Sequence, residues 1–159
     1  MPRLQLELPE ESFCFSTTFR VRMSEINAGN HVGNDKLISL ISDARTLFLC
    51  HYGMPPEDVA NSRHGTLITD LATIYKAPAY FNDQLLIEVG VTDLNTYGGD
   101  FIYRITRKHD ERVIALAKNG FVFFVFFVFF DFVASKVVEA PTEFRERFST
   151  HLQHCPLLQ

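Results

Sequence analysis

Residues 20–53 read RVRMSEINAGNHVGNDKLISLISDARTLFLCHYG, and this stretch decides the fold. Its second half is helical. Leu37, Leu40, Ile41, Ala44, Leu47 and Phe48 recur at the i, i+3, i+4, i+7 spacing of one helix face, which predicts a helix over Asp35–Tyr52. Ile38 and Leu49 widen the apolar face beyond a surface stripe, so the helix is expected to be wrapped on several sides. Asn34 or Asp35 can cap its start. Gly53 can take the left-handed position past its end, and Pro55-Pro56 block continuation. The first half is a different object. Asn27, Gly29, Asn30, Gly33 and Asn34 are turn formers that reach positive φ at little cost. Residues 24–34 therefore read as a structured loop that delivers the chain into the helix.

Outward from this stretch the period changes to two. On the N-terminal side, Phe13, Phe15, Thr17, Phe19 and Val21 fall on one face and Cys14, Ser16, Thr18, Arg20 and Arg22 on the other, the mark of a strand. Residues 1–12 are a polar lead-in. On the C-terminal side, strand patterns cover Thr66–Tyr75, Gln84–Val91, Asp100–Lys108 and Arg112–Lys118, separated by turns at Asn82-Asp83, Gly98-Gly99 and His109-Asp110-Glu111. Pro141–His151 is polar with a helical pattern. One strand, one long helix and four more strands give an α+β domain. A helix apolar on most sides needs an antiparallel sheet that curls around it. We expect a single domain over residues 1–159, with its core at about 13–138 and a polar tail at 141–159.

The segment Phe121–Phe130 stands apart, because Val-Phe-Phe occurs in it three times in succession, at 122–124, 125–127 and 128–130. A strand buried on both faces reads as such a continuous apolar run. Taken as one strand, Val113 to Val138 would span roughly 85 Å at about 3.3 Å per residue. Ordinary strands are far shorter, so a break or bulge is expected near Asn119-Gly120. The run is also shorter than the ~20 residues of a membrane span.

The chain has 159 residues, 47% of them apolar and 21% charged, an ordinary globular composition. Its formal net charge of −4 argues against a general nucleic-acid binder, which needs a basic face. Cys14, Cys50 and Cys155 are far apart and form no CxxC pair, so neither a zinc site nor a disulfide framework is expected. A reducing, cytoplasmic setting follows. MPRLQLELPEE at the N-terminus lacks an apolar h-region, so no signal peptide is expected.

The run Arg22-Met23-Ser24-Glu25-Ile26-Asn27-Ala28-Gly29-Asn30-His31-Val32-Gly33-Asn34 resembles the loop that opens the 4-hydroxybenzoyl-CoA thioesterase-like branch of hot-dog proteins. Asp43-Ala44-Arg45 within the helix, Tyr52-Gly53 at its end, and Tyr75-Lys76-Ala77-Pro78 followed by Asp83 extend the likeness over residues 13–138. The resemblance implies a hot-dog fold, a homodimer or dimer of dimers, and an acyl thioester substrate bound near the start of the helix. It implies no cofactor other than coenzyme A as part of the substrate, no nucleic acid and no membrane. The implied activity is hydrolysis of acyl-CoA or acyl-carrier-protein thioesters. Val32, Gly33 and Asn34 would supply backbone N–H groups to the carbonyl oxygen, where charge builds during hydrolysis.

Aligning on His31-Val32 places Asn27 where such hydrolases carry an aspartate. An amide takes no proton from water, but it can orient water or the carbonyl. The other reading is a non-catalytic module that binds acyl thioesters. Glu25 and His31 are the candidate bases; Glu25 is alternatively a partner of Arg20 or Arg22, and His31 a brace of the loop. Asp43 and Asp70 are reserves, Asp70 with a structural hydrogen bond as its other reading. Arg104, Arg107, Lys108, Arg112 and Lys76 are the candidate cations for coenzyme A phosphates, the alternative being a solvated hairpin turn diluted by Asp110 and Glu111.

Overall fold

The computed structural model of the chain describes residues 4–54, 64–125, 136–137, 142 and 146. In these, the order is β1 (Phe13–Arg20), α1 (Asn34–His51), β2 (His64–Ile68), β3 (Ala72–Tyr75), β4 (Gln84–Thr92), β5 (Gly98–Arg107), β6 (Arg112–Val125) and β7 (Lys136–Val137). Single 3-10 turns lie at Glu10–Ser12 and Met23–Glu25. The strands form one antiparallel sheet ordered β1-β4-β5-β6-β2, with β3 and β7 also paired to β6.

The helix packs on the inner face of this sheet, chiefly against β1 and β4. Its buried residues are Leu37, Leu40, Ile41, Ala44 and Phe48, the face that the 3.6-residue period marks. Opposite them stand alternate residues of the strands: Leu85, Ile87 and Val89 on β4, Phe101, Tyr103 and Ile105 on β5, and Ala115, Ala117, Phe121 and Phe123 on β6. Phe48 is a centre of this core. Its ring meets Phe15 and Phe101 edge-on, at centroid distances of 5.9 and 5.7 Å. One helix in a curled antiparallel sheet is the hot-dog architecture.

Several boundaries differ from expectation. The helix starts at Asn34, with Gly33 in the N-cap position and no side-chain cap. It is covered on fewer sides than its composition implies, since Leu47 is 43% exposed and Asp43 is exposed. Gly53 does take the left-handed conformation, at φ 79°. Pro55 and Pro56 lie outside the described residues. The expected strand Thr66–Tyr75 is two strands, broken at residues 69–71.

That break explains a second difference. β6 runs unbroken through Asn119 and Gly120, which pair with Phe101 and Asp100 of β5. The irregularity expected there sits on the neighbouring strand instead. The Thr69 N–H donates to the Gly120 carbonyl and the Gly120 N–H donates to Asp70 Oδ1, both at 3.0 Å. A Cβ on Gly120 would lie 2.6 Å from Asp70 Oδ2, so a side chain there would displace the carboxylate that holds the kink. β6 does carry a register shift at its other end, where Ile105 faces Ala115 but Thr106 faces Val113, which leaves Ile114 as the extra residue. Lys136 and Val137 pair antiparallel with Val125 and Phe124, so the chain has reversed by that point and Val113 to Val138 is not one strand. Residues 126–130 of the Val-Phe-Phe run lie outside the described residues. Of the tail expected to be helical, Thr142 and Glu146 are described, and both are helical.

Candidate active site

The loop before the helix is tied together from within. Glu25 is 5% exposed, and its carboxylate accepts the Arg22 backbone N–H at 2.8 Å and the Arg22 guanidinium at 3.0 and 2.8 Å. Its carbonyl accepts the Gly33 N–H at 3.0 Å. The Val32 N–H reaches across to the Ala79 carbonyl at 2.8 Å, which fastens the loop to the segment before β4. Within the loop the Asn27 N–H donates to the His31 carbonyl at 2.9 Å. The Asn30 N–H donates to the Asn27 carbonyl at 3.0 Å, with Asn30 at φ 60°. These bonds bring Asn27 and His31 side by side.

Their side-chain orientations follow from their partners. Asn27 Oδ1 accepts the Gly29 N–H at 2.8 Å, which leaves the Nδ2 end facing His31 Nε2 at 3.5 Å. His31 Nδ1 lies 3.0 Å from the Gly29 carbonyl oxygen. A carbonyl only accepts, so in the neutral ring Nδ1 carries the proton and Nε2 keeps its lone pair. Gly29 sits under the ring: a Cβ there would lie 2.7 Å from His31 Cε1.

Asn27, His31, Val32, Asn34 and Leu37 form one side of a cleft of about 370 Å³. Tyr75, Ala77, Pro78, Ala79 and Ile114 form the other. The first intrahelical bond runs from the Leu37 N–H to the Gly33 carbonyl, at 3.0 Å. The N–H groups of Asn34, Asp35 and Lys36 precede it and have no intrahelical acceptor. Of the three backbone donors expected from sequence, Val32 and Gly33 are committed to Ala79 and Glu25, and Asn34 is at the helix opening. The Tyr75 hydroxyl donates to the Asn34 carbonyl at 3.3 Å. Partial burial, and then Asp35 nearby, push the Tyr75 phenol above its ordinary pKa.

The remaining sequence candidates are placed elsewhere. Glu25 is outside the cleft, buried and held by Arg22. Asp43 is exposed on the helix, and Asp70 holds the Gly120 N–H. Arg104 lies with its guanidinium on Glu88, at 2.6 and 2.9 Å, and also on Glu10, above the Phe13 ring. Arg107 is 7% exposed, forked onto Asp110 at 2.9 and 2.7 Å and reaching Asp83. It also donates to the carbonyl of Pro78, a wall of the cleft, at 3.1 Å. Arg107 is thus a brace behind the cleft, a part that charge alone did not suggest. Lys76 and Lys108 are exposed, and among the described residues neither makes an ion pair. Tyr75, Leu37 and Ile114 were absent from the sequence candidates. The one signal for Tyr75 was its place at a strand end, just before Lys76-Ala77-Pro78.

Fold and cleft together define a hot-dog protein with an open cleft at the start of its central helix. The chain belongs to the thioesterase-like superfamily, whose family model matches residues 21–148. Among solved structures it is similar to a 1,4-dihydroxy-2-naphthoyl-CoA thioesterase from Synechocystis, with TM-score 0.75, 14% identity, and coverage of 85% of this chain and 95% of that one. It is likewise similar to the 4-hydroxybenzoyl CoA thioesterase from Pseudomonas sp. strain CBS-3, with TM-score 0.74, 17% identity, and coverage of 83% and 96%. A gentisyl-coenzyme A thioesterase matches with TM-score 0.71, 20% identity, and coverage of 85% and 99%. No curated protein matches the chain at a significant level. Among the described residues no helix is long and apolar enough to cross a membrane. No group of three or more His, Cys, Asp or Glu among them could hold a metal ion.

Proposed function

We propose that the protein hydrolyses acyl-CoA or acyl-carrier-protein thioesters in this cleft. The observation that carries the reading is convergence. His31 Nε2 and Asn27 Nδ2 meet at 3.5 Å beside the Asn34 N–H at the opening of α1. The thioester carbonyl oxygen lies against the Asn34 N–H and the positive end of the helix, with Asn27 Nδ2 as a second donor. His31 Nε2 takes a proton from water as the water oxygen bonds to the carbonyl carbon. The C–S bond then breaks, the sulfur leaves with the electron pair, and His31 returns the proton to it. The products are a carboxylic acid and a free thiol. Lys76, next to the cleft, and Lys108 are the cations we assign to coenzyme A phosphates.

The protein acts as a homodimer joined along β2 and β3. Among the described residues nothing pairs with the outer edge of these strands. Leu67, Leu71 and Tyr75 are exposed along that edge, at 51, 42 and 47%. Tyr75 belongs to both the edge and the cleft, so a second copy docked there would stand beside the substrate. Free Cys14 and Cys50 suit a reducing, cytoplasmic setting.

The test is free-thiol release from a panel of alkyl and aryl acyl-CoA thioesters, in the native protein and in His31→Gln. Turnover that falls by about 10²-fold or more in the variant is expected for a general base. Saturable binding of a non-hydrolysable analogue, without turnover of any thioester, would identify a binding module instead. Absence of both would reject the cleft as a thioester site.

A further inference from the structure

We propose that the acyl group accepted here ends in an oxygen acceptor, a carboxylate or a ring hydroxyl, read by Arg45, Thr73, Tyr103 and Asn119. This rests on the thioesterase reading and names the substrate class that the same site would take. Polar side chains interrupt the mostly apolar inner face of the sheet, and one group of them is Thr73, Tyr103 and Asn119. Tyr103 on β5 faces Ala117 on β6, and Ala117 faces Thr73 on β3. Directly opposed residues of antiparallel strands share a face. Asn119, two residues beyond Ala117, is on it too. Tyr103 is fully buried, Asn119 is 2% exposed, and the Tyr103 hydroxyl donates to Asn119 Oδ1 at 2.9 Å.

Two groups in this patch are left with something to give. The first is Arg45, half-buried on the flank of α1. Its guanidinium donates to Ser42 Oγ at 3.2 Å and lies by the Tyr103 hydroxyl, whose pKa burial pushes up to about 12 against the pull of Arg45. Arg45 has no carboxylate within ion-pair distance among the described residues, whereas Arg104 and Arg107 each hold two. The second is Thr73. Among the described residues its Oγ1 is the buried side-chain atom that has no hydrogen-bond partner. A half-buried cation without an anion and a buried hydroxyl without a partner are both costly unless something else satisfies them.

The placement fits the far end of an acyl group. Thr73 shares a face with Tyr75, which lines the cleft, and stands roughly 7 Å along the strand from it. Arg45 is eight residues beyond Leu37, the helix residue in the cleft, and so roughly 12 Å further along the axis. An aryl ring or a six-carbon chain held by its carbonyl at Asn34 reaches roughly 7 Å toward Thr73, and the long Arg45 side chain, which slants back toward the start of the helix, covers much of the rest. Ala117, between Tyr103 and Thr73, carries the smallest side chain of this row. A carboxylate or phenol oxygen would accept from Arg45 and Thr73 together.

The experiment compares kcat/KM for matched thioesters: adipoyl-CoA against hexanoyl-CoA, and para-hydroxybenzoyl-CoA against para-methylbenzoyl-CoA. The oxygen-bearing member of at least one pair is expected to be preferred by about tenfold or more. Arg45→Met or Thr73→Val is expected to remove that preference while the methyl-ended member keeps its rate. Equal rates within both pairs, or a preference that survives both variants, would overturn the proposal and leave the thioesterase reading standing. If no thioester is hydrolysed, the thioesterase reading fails by itself. Calorimetry with the free acids then decides this proposal separately. Saturable binding of adipate or para-hydroxybenzoate that Arg45→Met abolishes supports it, and no binding of either overturns it.

Discussion

At the scale of single residues, the proposed site depends on how two side chains are pointed. Asn27 has no carboxylate, yet its amide is oriented: Gly29 holds Oδ1 and leaves Nδ2 toward His31. His31 is oriented in turn by the Gly29 carbonyl. Gly29 therefore serves both groups, and its lack of a side chain is what admits the ring. Gly29→Ala would place a Cβ 2.7 Å from His31 Cε1, and the ring must shift to clear it. Displacement of a reacting group by about 1 Å can cost about 10²-fold. We expect kcat for thiol release to fall by at least about tenfold with little change in Tm, measured by steady-state kinetics and a thermal melt on the same preparation. Asn27 and His31 were legible in the sequence because their loop motif is local. Glu25 was legible in one of its two readings, as a partner of Arg22, but the brace made by Arg107 was not, because sequence displays a charge without its partner. The partner of Glu25 is three residues away, while Arg107 finds Asp83 and Pro78 at separations of 24 and 29 residues. Tyr75 depends on where β3 passes the start of the helix, which no local pattern records.

At the scale of elements, α1 was legible because its period and its glycine stop act along one chain segment. Its anchor is Phe48, fully buried among Phe15, Tyr52 and Phe101. Phe48→Ala would remove most of a ring and leave a cavity, a loss of about 3–5 kcal/mol that urea unfolding should read. The kink near Asn119-Gly120 was half legible. Strand length shows that something must yield, but it does not show which of two neighbouring strands does so. The turn between β5 and β6 carries a pH-sensitive brace. The fork of Arg107 holds the Asp110 carboxyl down to about 2, below its ordinary 3.8. A lowered folded pKa gives stability that is complete above the unfolded value and fades as pH falls toward the folded one. Comparing wild type with Asp110→Asn in urea from pH 7 to 2, we expect a difference that is constant down to about pH 4 and shrinks from there toward pH 2. A difference that grows on acidification would contradict this sign.

At the scale of the whole molecule, one side of the sheet is unfinished. Strands β2 and β3 offer an outer edge that no described residue pairs, with Leu67 and Leu71 about half exposed on it. A bare apolar edge invites pairing with another strand, and proteins that remain monomers blunt such edges with charge or cover. Here the kink at residues 69–71 interrupts the edge without charging it, apart from Asp70, whose carboxylate is turned inward to Gly120. A second copy meeting the same edge would form a closed two-fold pair, since each edge is then its own partner. Such a contact needs to bury about 1,200–2,000 Å² in total to be stable, so both apolar residues and the strand ladder must contribute. Leu67→Lys with Leu71→Lys puts two like charges on each copy at that contact while leaving the cleft residues untouched. By sedimentation velocity, the native chain should run at twice the mass of one chain and the double variant at the mass of one. Because Tyr75 joins the edge to the cleft, the variant should also lose most of its thiol release. A native protein that sediments as a monomer, or a monomeric variant with full activity, would detach the edge from the site.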